Sequence, residues 1–337
     1  MKFRAIVMHL NDPELYPSYE DALKRIASRL NAFTVRAVST KPSDDVDLEL
    51  VSVYAGEGIK GFERAWELLE KGYFTSVSIG RDPSTAPLEY AATFILRIAK
   101  ELGPEYNVRF SITTGEPYEG PYFPATKASN FGISASLLYP SDLYDALREA
   151  EEPNVAVRRV MSAIFSEAEE KLAELLREEG IPYLGIDFSL SPWMEESAAL
   201  AISLMARSAF LSPGTPSAIL ELNRSISSAA SGRKAIGFNE VMLPMAEDNV
   251  LKKMALSGQL TVKDLAYLTP YCVAGLDMVA LPLDVNLKDV AKLISDVIAA
   301  SYVKNRVLGV RIILIDGKEG DEVDLEMFGN VPIMRLG

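Results

Sequence analysis

Residues 237–282 read GFNEVMLPMAEDNVLKKMALSGQLTVKDLAYLTPYCVAGLDMVALP. The stretch opens on an acidic cluster, Glu240, Glu247 and Asp248. It carries the only cysteine, Cys272, and closes on an apolar run interrupted by Asp277. VMLP reads as a short strand, and Pro244 breaks it. A helix follows, with Glu247, Asp248 and Asn249 in its first turn, where carboxylates favour the positive end of the helix. TVKDLAYL is a second short helix capped by Thr261, and MVALP is a buried strand. Strand and helix therefore alternate, which points to an α/β architecture. Ionisable side chains set against apolar neighbours acquire shifted pKa values, and the same stretch becomes the first place to look for a site.

The alternation extends in both directions. FRAIVM at 3–8 is a buried strand closed by His9, which reads as a hydrogen-bonded strand-end residue. Helices over 19–31, 61–71 and 86–101 alternate with strands at 33–39, LELVSVY, YFTSVSIG and NVRFSIT. GRDPSTAP, before the third helix, places Arg81, Asp82 and Ser84 at a strand end. Arg81 is a candidate anion ligand there, against the simpler reading in which Asp82 and Ser84 cap the helix. The longest irregular stretch, TTGEPYEGPYFPATKASNFG, carries Tyr118, Tyr122 and Phe123 with Thr126, Lys127 and Ser129. An aromatic loop of this length reads as a lid over 113–130 whose hydroxyls and lysine face a small-molecule ligand, or as a structural plug. ISASLLYP is a strand, and SDLYDALREAEEP is a helix capped by Ser141. After Pro153 the texture changes to a long amphipathic helix over 155–179, ended by Gly180. YLGIDFSL follows with Asp187 inside an apolar run. The chain reads as one α/β domain over 1–337, with 1–152 and 153–337 as candidate halves.

Composition excludes several classes. With 337 residues, 48% of them hydrophobic and a formal charge of -13, the chain is globular and acidic, so no nucleic-acid partner is expected. A single cysteine allows no internal disulfide. A single histidine allows no zinc site built from several His and Cys ligands. No apolar stretch is long enough for a membrane span, and a cytoplasmic location without a membrane partner is expected. The apolar helices near 195–208 and 216–230 belong to the core or to a homo-oligomer interface.

GIDFSL at 185–190, GFNEVMLPMAED at 237–248 and CVAGLDMVALP at 272–282, continued by VRIIL at 310–314, together resemble the uncharacterised DUF711 family, also called UPF0210. That resemblance runs through the carboxyl-terminal half. It implies a ten-stranded α/β barrel like that of pyruvate formate-lyase, in which two five-stranded sheets enclose an inner hairpin. Radical chemistry does not follow. Arg306-Val307-Leu308-Gly309-Val310 is similar to the glycyl-radical motif of that fold, but Val310 replaces its aromatic residue and Gly309 lies in a strand-like apolar run.

The remaining chemistry rests on carboxylates. Cys272 lines the candidate pocket as a possible nucleophile, yet no second histidine exists to serve it, and a small buried hydrophobe is the simpler reading. Asp187 and Asp277 are candidate acids or bases. With Glu247 and Asp248 they form an all-oxygen set suited to magnesium or calcium. Pairing with Arg207, Lys304 or Arg311 and backbone hydrogen bonding are the competing readings. Two functions stay open: an enzyme acting on a small anionic metabolite, and a non-catalytic ligand-binding or assembly protein.

Overall fold

Continuous apolar runs with period-two polar breaks form the strands, and 3.6-periodic segments form the helices that cover them. The computed structural model describes residues Met1–Gly337. Its main strands are β1 (Lys2–Leu10), β2 (Thr34–Ser39), β3 (Val51–Glu57), β4 (Phe74–Ser78), β5 (Phe110–Thr113), β6 (Gly132–Leu138), β7 (Tyr183–Asp187), β8 (Gly275–Pro282) and β9 (Gly309–Ile315). The helices are α1 (Tyr16–Arg29), α2 (Gly58–Glu70), α3 (Leu88–Glu101), α4 (Pro104–Val108), α5 (Pro140–Glu149) and α6 (Pro153–Glu179). They continue as α7 (Ala198–Ala206), α8 (Thr215–Ala230), α9 (Asn249–Leu256), α10 (Val262–Leu268) and α11 (Leu287–Lys304). None is long and apolar enough to cross a membrane.

The chain divides into two compact units that interleave along the sequence. The first comprises Met1–Tyr54, Tyr118–Ser191 and Glu196–Met242; the second comprises Ala55–Pro117, Pro192–Glu195 and Leu243–Gly337. In the first unit the strand order is β3-β2-β1-β6-β7. All neighbours are parallel except β1 and β6, which run antiparallel. In the second unit β4 and β5 are parallel, β5 and β9 antiparallel, and β9 and β8 parallel. Strand pairing is mixed in each unit, and the α/β class is as expected.

α6 buries Val157, Met161, Ile164, Phe165, Ala168, Leu172 and Leu175, and it ends at Gly180 with φ 68°. Phe165 stacks on Phe188 with centroids 4.4 Å apart. α8 packs on α6, and α7 packs on α5 and α8, which buries Ile202 of α7 and Ile219, Leu222 and Ile226 of α8 while Leu220 stays exposed. The second unit has its own aromatic centre, in which Phe62, Phe94 and Phe110 meet at 5.0–6.2 Å.

Three local expectations differ from the structure. Residues 107–108 end a short helix and do not open a strand, because Gly103 and Pro104 start α4 ahead of β5. VMLP forms no strand and keeps only a single bridge, Leu190 to Val241. Ser141 does not cap α5; Pro140 occupies its first turn, and the Ser141 hydroxyl binds Glu196 at 2.8 Å.

Gly275 opens β8 with φ +94°, and a Cβ there would lie 2.1 Å from the Gly309 carbonyl oxygen of β9. Neither backbone can yield without breaking the β8–β9 pairing. Gly275→Ala is therefore expected to destabilise the chain by about 3 kcal/mol or more, read as a fall in the urea midpoint at unchanged slope.

Candidate functional site

Asp187, the last residue of β7, is completely buried. Its Oδ1 accepts from the Ser189 amide at 2.9 Å, the Ser189 hydroxyl at 2.6 Å and the Asn239 amide at 3.1 Å, while Oδ2 accepts from the Phe238 amide at 2.7 Å. Asn239 returns the contact, its Oδ1 accepting from the Phe188 amide 2.9 Å away. Gly237 adopts φ +78°, and a Cβ there would sit 2.3 Å from Asp187 Oδ2. The sequences GIDFS and GFNE are thus two halves of one clasp. Burial pushes the Asp187 carboxyl above the usual carboxylate range, opposed by these four donors.

Asp277 in β8 makes the corresponding clasp in the second unit. Arg311 of β9 grips it with Nε 2.7 Å from Oδ1 and Nη2 2.8 Å from Oδ2, and Nη1 donates to the Val108 carbonyl at 3.3 Å. Both side chains are buried. Burial pushes the Asp277 carboxyl up, against the pull of Arg311. Glu247 stands 3.9 Å from Arg311 as a second, looser carboxylate. Asp248 caps α9, accepting from the amides of Val250 and Leu251.

Asp187, Asp277 and Asp248 are thus engaged by protein donors, and Glu247 stands beside Arg311. No group of three or more His, Cys, Asp or Glu side chains is arranged to hold a metal ion. Each donor already in place competes with a cation for the same oxygens. As acids or bases Asp187 and Asp277 are equally committed. Cys272 is 1% exposed, its thiol donating to the Leu268 carbonyl at 3.2 Å, which places it as a buried hydrophobe at a helix end. Gly309 is the first residue of β9, inside the sheet.

The loop residues behave differently from one another. Arg81 lies in the second unit and donates to Asn305 Oδ1 at 3.0 Å, while Asp82 folds onto Ser84 and leaves α3 without a side-chain cap. In the first unit, Tyr118–Glu119 pairs with Thr126–Lys127. Glu119 ties the neck of this loop by accepting from the Ser129 amide at 3.0 Å and from the Asn130 amide and side chain at 2.7 Å. Burial works against its charge, but these donors hold its carboxyl below the usual range. The Thr126 hydroxyl closes onto the Gly120 carbonyl, so it is a loop-building group; Lys127 is half-buried.

Beneath the loop lies a polar layer that the sequence reading passed over. Ala5 and Val7 of β1 pack with Val38 and with Ala128 of the loop, which sets the loop over that face of the sheet. Register puts Ser136 opposite Ala5, Ser134 opposite Val7 and Asp187 opposite Ser136. His9, on the same alternation, is fully buried and shares a 2.7 Å hydrogen bond between Nε2 and the Ser134 hydroxyl. Its Nδ1 is buried without a hydrogen-bond partner. A β1 bulge after Phe3 presents Arg4, 3% exposed, with its guanidinium 5.9 Å from the Tyr122 ring centre. The Tyr122 hydroxyl meets Ser191 Oγ at 2.7 Å. His9 is the hydrogen-bonded strand-end residue expected of it, while the arginine within an otherwise apolar strand was a signal that went unread.

A second buried cation, Lys252 of α9, donates to the Phe328 carbonyl at 2.5 Å and lies 3.5 Å from Met194 Sδ. Burial lowers its pKa, while Glu247, Glu195 and Asp248 pull the other way. Its contacts tie α9 to the 326–328 turn, which is a structural task.

Residues 77–326 match the family model described as Uncharacterised ACR (DUF711). A UPF0210 protein of Pyrobaculum aerophilum is 27% identical over 256 residues, covering 71% of this chain and 57% of that protein. One from Pyrobaculum islandicum is 28% identical over 283 residues, covering 79% and 62%. One from Lacticaseibacillus casei is 31% identical over 162 residues, covering 46% and 35%. The chain spans less than two thirds of the length of these relatives. Among solved structures, an anaerobic ribonucleotide reductase from Thermotoga maritima aligns over 94% of this chain and 81% of its own, at 9% identity and a TM-score of 0.38, a likeness too slight to carry an inference.

Two outcomes follow from this geometry. Asp277→Asn leaves Arg311 buried without its charge partner and is expected to cost about 3–5 kcal/mol, measured by chemical denaturation, with no recovery on adding magnesium or calcium. Burial pushes His9 from its ordinary 6.5 down to about 4, so between those values the unfolded chain binds a proton that the folded chain does not. Stability is expected to fall by about 3 kcal/mol as pH drops through that window, and His9→Gln is expected to show a shallower slope in urea melts.

Proposed function

Given that this chain belongs to the uncharacterised DUF711 family, we propose that it binds a small anionic metabolite on the polar face of the first unit, beneath the 118–131 loop. The observation that carries this reading is His9 Nδ1, a buried ring nitrogen left without a partner. Such a group costs on the order of 1–3 kcal/mol, and a ligand hydroxyl or carbonyl would supply what it lacks.

Arg4 sets the sign of the ligand. A guanidinium is always charged, and its planar fork of donors matches carboxylate and phosphate oxygens. The other groups on the face are neutral hydroxyls, and the Asp187 carboxylate is matched by its own four donors. Arg4 and His9 are about 16 Å apart along the strand at ~3.3 Å per residue, a gap that the long arginine side chain shortens. The loop, closed at its neck by Glu119, serves as the lid.

Binding is favoured over turnover by the same groups. An imidazole held at about 4 is a weak base at neutral pH. In this proposal the face forms part of the lining of a ten-stranded barrel, two five-stranded sheets around an inner hairpin near residues 272–275, in a cytoplasmic homo-oligomer.

The test is a calorimetric and thermal-shift screen of dicarboxylates, tricarboxylates and sugar phosphates at neutral pH. A ligand is expected to bind the wild type, to weaken about tenfold in His9→Gln for one lost hydrogen bond, and to weaken further in folded Arg4→Gln. Absence of binding across the screen, or affinity indifferent to both substitutions, would overturn the proposal.

A further inference from the structure

The face beneath the loop carries a second unmet group besides His9 Nδ1. Ser136 of β6 has no exposed surface, and its Oγ is buried without a hydrogen-bond partner. The polar groups around it are spent elsewhere. Asp187, across the register in β7, turns its oxygens to the amides at 189, 238 and 239 and to the Ser189 hydroxyl. Ser191 donates to the Leu137 carbonyl at 3.2 Å, so the Tyr122 hydroxyl, 2.7 Å from Ser191 Oγ, gives its proton there. Tyr122 acts on Ser136 from close by, but all that it has left to offer is a lone pair. The Ser136 oxygen therefore lacks a donor.

Ser134 and Ser136 alternate along β6 and share a face, about 7 Å apart at ~3.3 Å per residue. The His9 ring lies against the first of them, with Nε2 2.7 Å from Ser134 Oγ. Both unmet atoms thus fall within the span of a few carbon atoms. The charge of the surroundings decides what those carbons carry. Glu119 keeps its negative charge at the loop neck and acts on His9, whose ring, held at about 4, is neutral at neutral pH. An anionic oxygen here would be buried facing a like charge and a neutral ring, which is costly. A hydroxyl avoids that cost. It also donates to Ser136 Oγ, which an ionised carboxylate or a ketone oxygen cannot do, and it matches Nδ1 in either tautomer.

On the premise that an anionic metabolite occupies this face, we propose that it is a polyhydroxy acid of the sugar-acid class, which sets neighbouring hydroxyls against Ser136 Oγ and His9 Nδ1 and keeps its carboxylate away from Glu119. Ser136 and His9 then determine specificity by reading the hydroxyls of the carbon chain, and no covalent bond is made or broken.

The full chain is titrated calorimetrically at neutral pH with succinate, malate and tartrate, which gain hydroxyls at constant charge, and with adipate and glucarate as a longer pair. In the series of fitting length, the most hydroxylated acid is expected to bind at least about tenfold more tightly than the bare one. Ser136→Ala and His9→Gln, whose amide stands near the place of Nε2 and leaves Nδ1 without a substitute, are each expected to reduce that ratio severalfold. The bare acid's affinity is expected to stay within about twofold. In the free protein, Ser136→Ala removes an unmet hydroxyl and is expected to leave the thermal midpoint unchanged or raise it. A fall would show that the hydroxyl is satisfied within the protein and would overturn the proposal. Equal binding of bare and hydroxylated acids overturns the polyhydroxy assignment alone, as does binding of a phosphate ester when neither acid series binds. If no compound of the wider screen binds, the ligand site and its assigned class fall together.

Discussion

A carboxylate taken out of water must be matched donor for donor or it neutralises, and two buried aspartates impose that constraint on this fold. Asp187 is matched by three backbone amides and a hydroxyl, Asp277 by a two-pronged arginine. Each stands at a junction where the chain would otherwise have no fixed geometry. Asp187 binds the end of β7 to the irregular 237–239 passage, and Asp277 binds β8 to β9 away from their terminal hydrogen bonds. Glycines complete both arrangements. Gly237 makes room for the Asp187 oxygen, and Gly275 lets β8 approach the β9 backbone. The family-like motifs GID, GFN and GLD are in this sense descriptions of two clasps.

The same physics explains what could and could not be read from the sequence. Long periodic elements were legible: α6 begins and ends within two residues of expectation because its apolar stripe and Gly180 are local signals. The α/β class followed from strand and helix alternation. The division into interleaved units was not legible, since it depends on which distant segments pair. Asp187 and Asp277 were legible as exceptional residues, because a carboxylate in an apolar run demands an explanation. Their role was not, because metal binding, catalysis and clasping make the same local demand and differ only in what faces the oxygens. Arg311 was among the candidate partners; the amides of Phe238 and Asn239 carry no side-chain signature and could not be.

His9 and Arg4 show what a strand read alone leaves out. His9 is hydrogen-bonded near its strand end as expected, but its complete burial, and that of the arginine in FRAIVM, has no local signature. β1 is central in its sheet, with β2 on one side and β6 on the other, so both side chains are enclosed. Burial is a tertiary property, and it turned two unremarkable residues into the most costly ones on that face.

That cost is bearable only in a rigid frame. A histidine with one unmet nitrogen would normally relax toward water or toward Glu119, whose charge favours its protonated form. Glu119 is not available for this, since its oxygens are committed to the amides and side chain at the loop neck. Opening the loop would release Glu119, admit water to His9 and separate Ala128 from Ala5 and Val7 together, so these events are coupled through one set of contacts. The Asp187 clasp is tied to this cover as well: the Tyr118 ring meets Phe238 edge-on at 5.7 Å, and a Cβ on Gly120 would lie 2.8 Å from the Gly237 Cα. The enclosure of His9, the closed loop neck and the Asp187 clasp are therefore held by one continuous set of contacts, and the cost of the unmet nitrogen is spread over all of them.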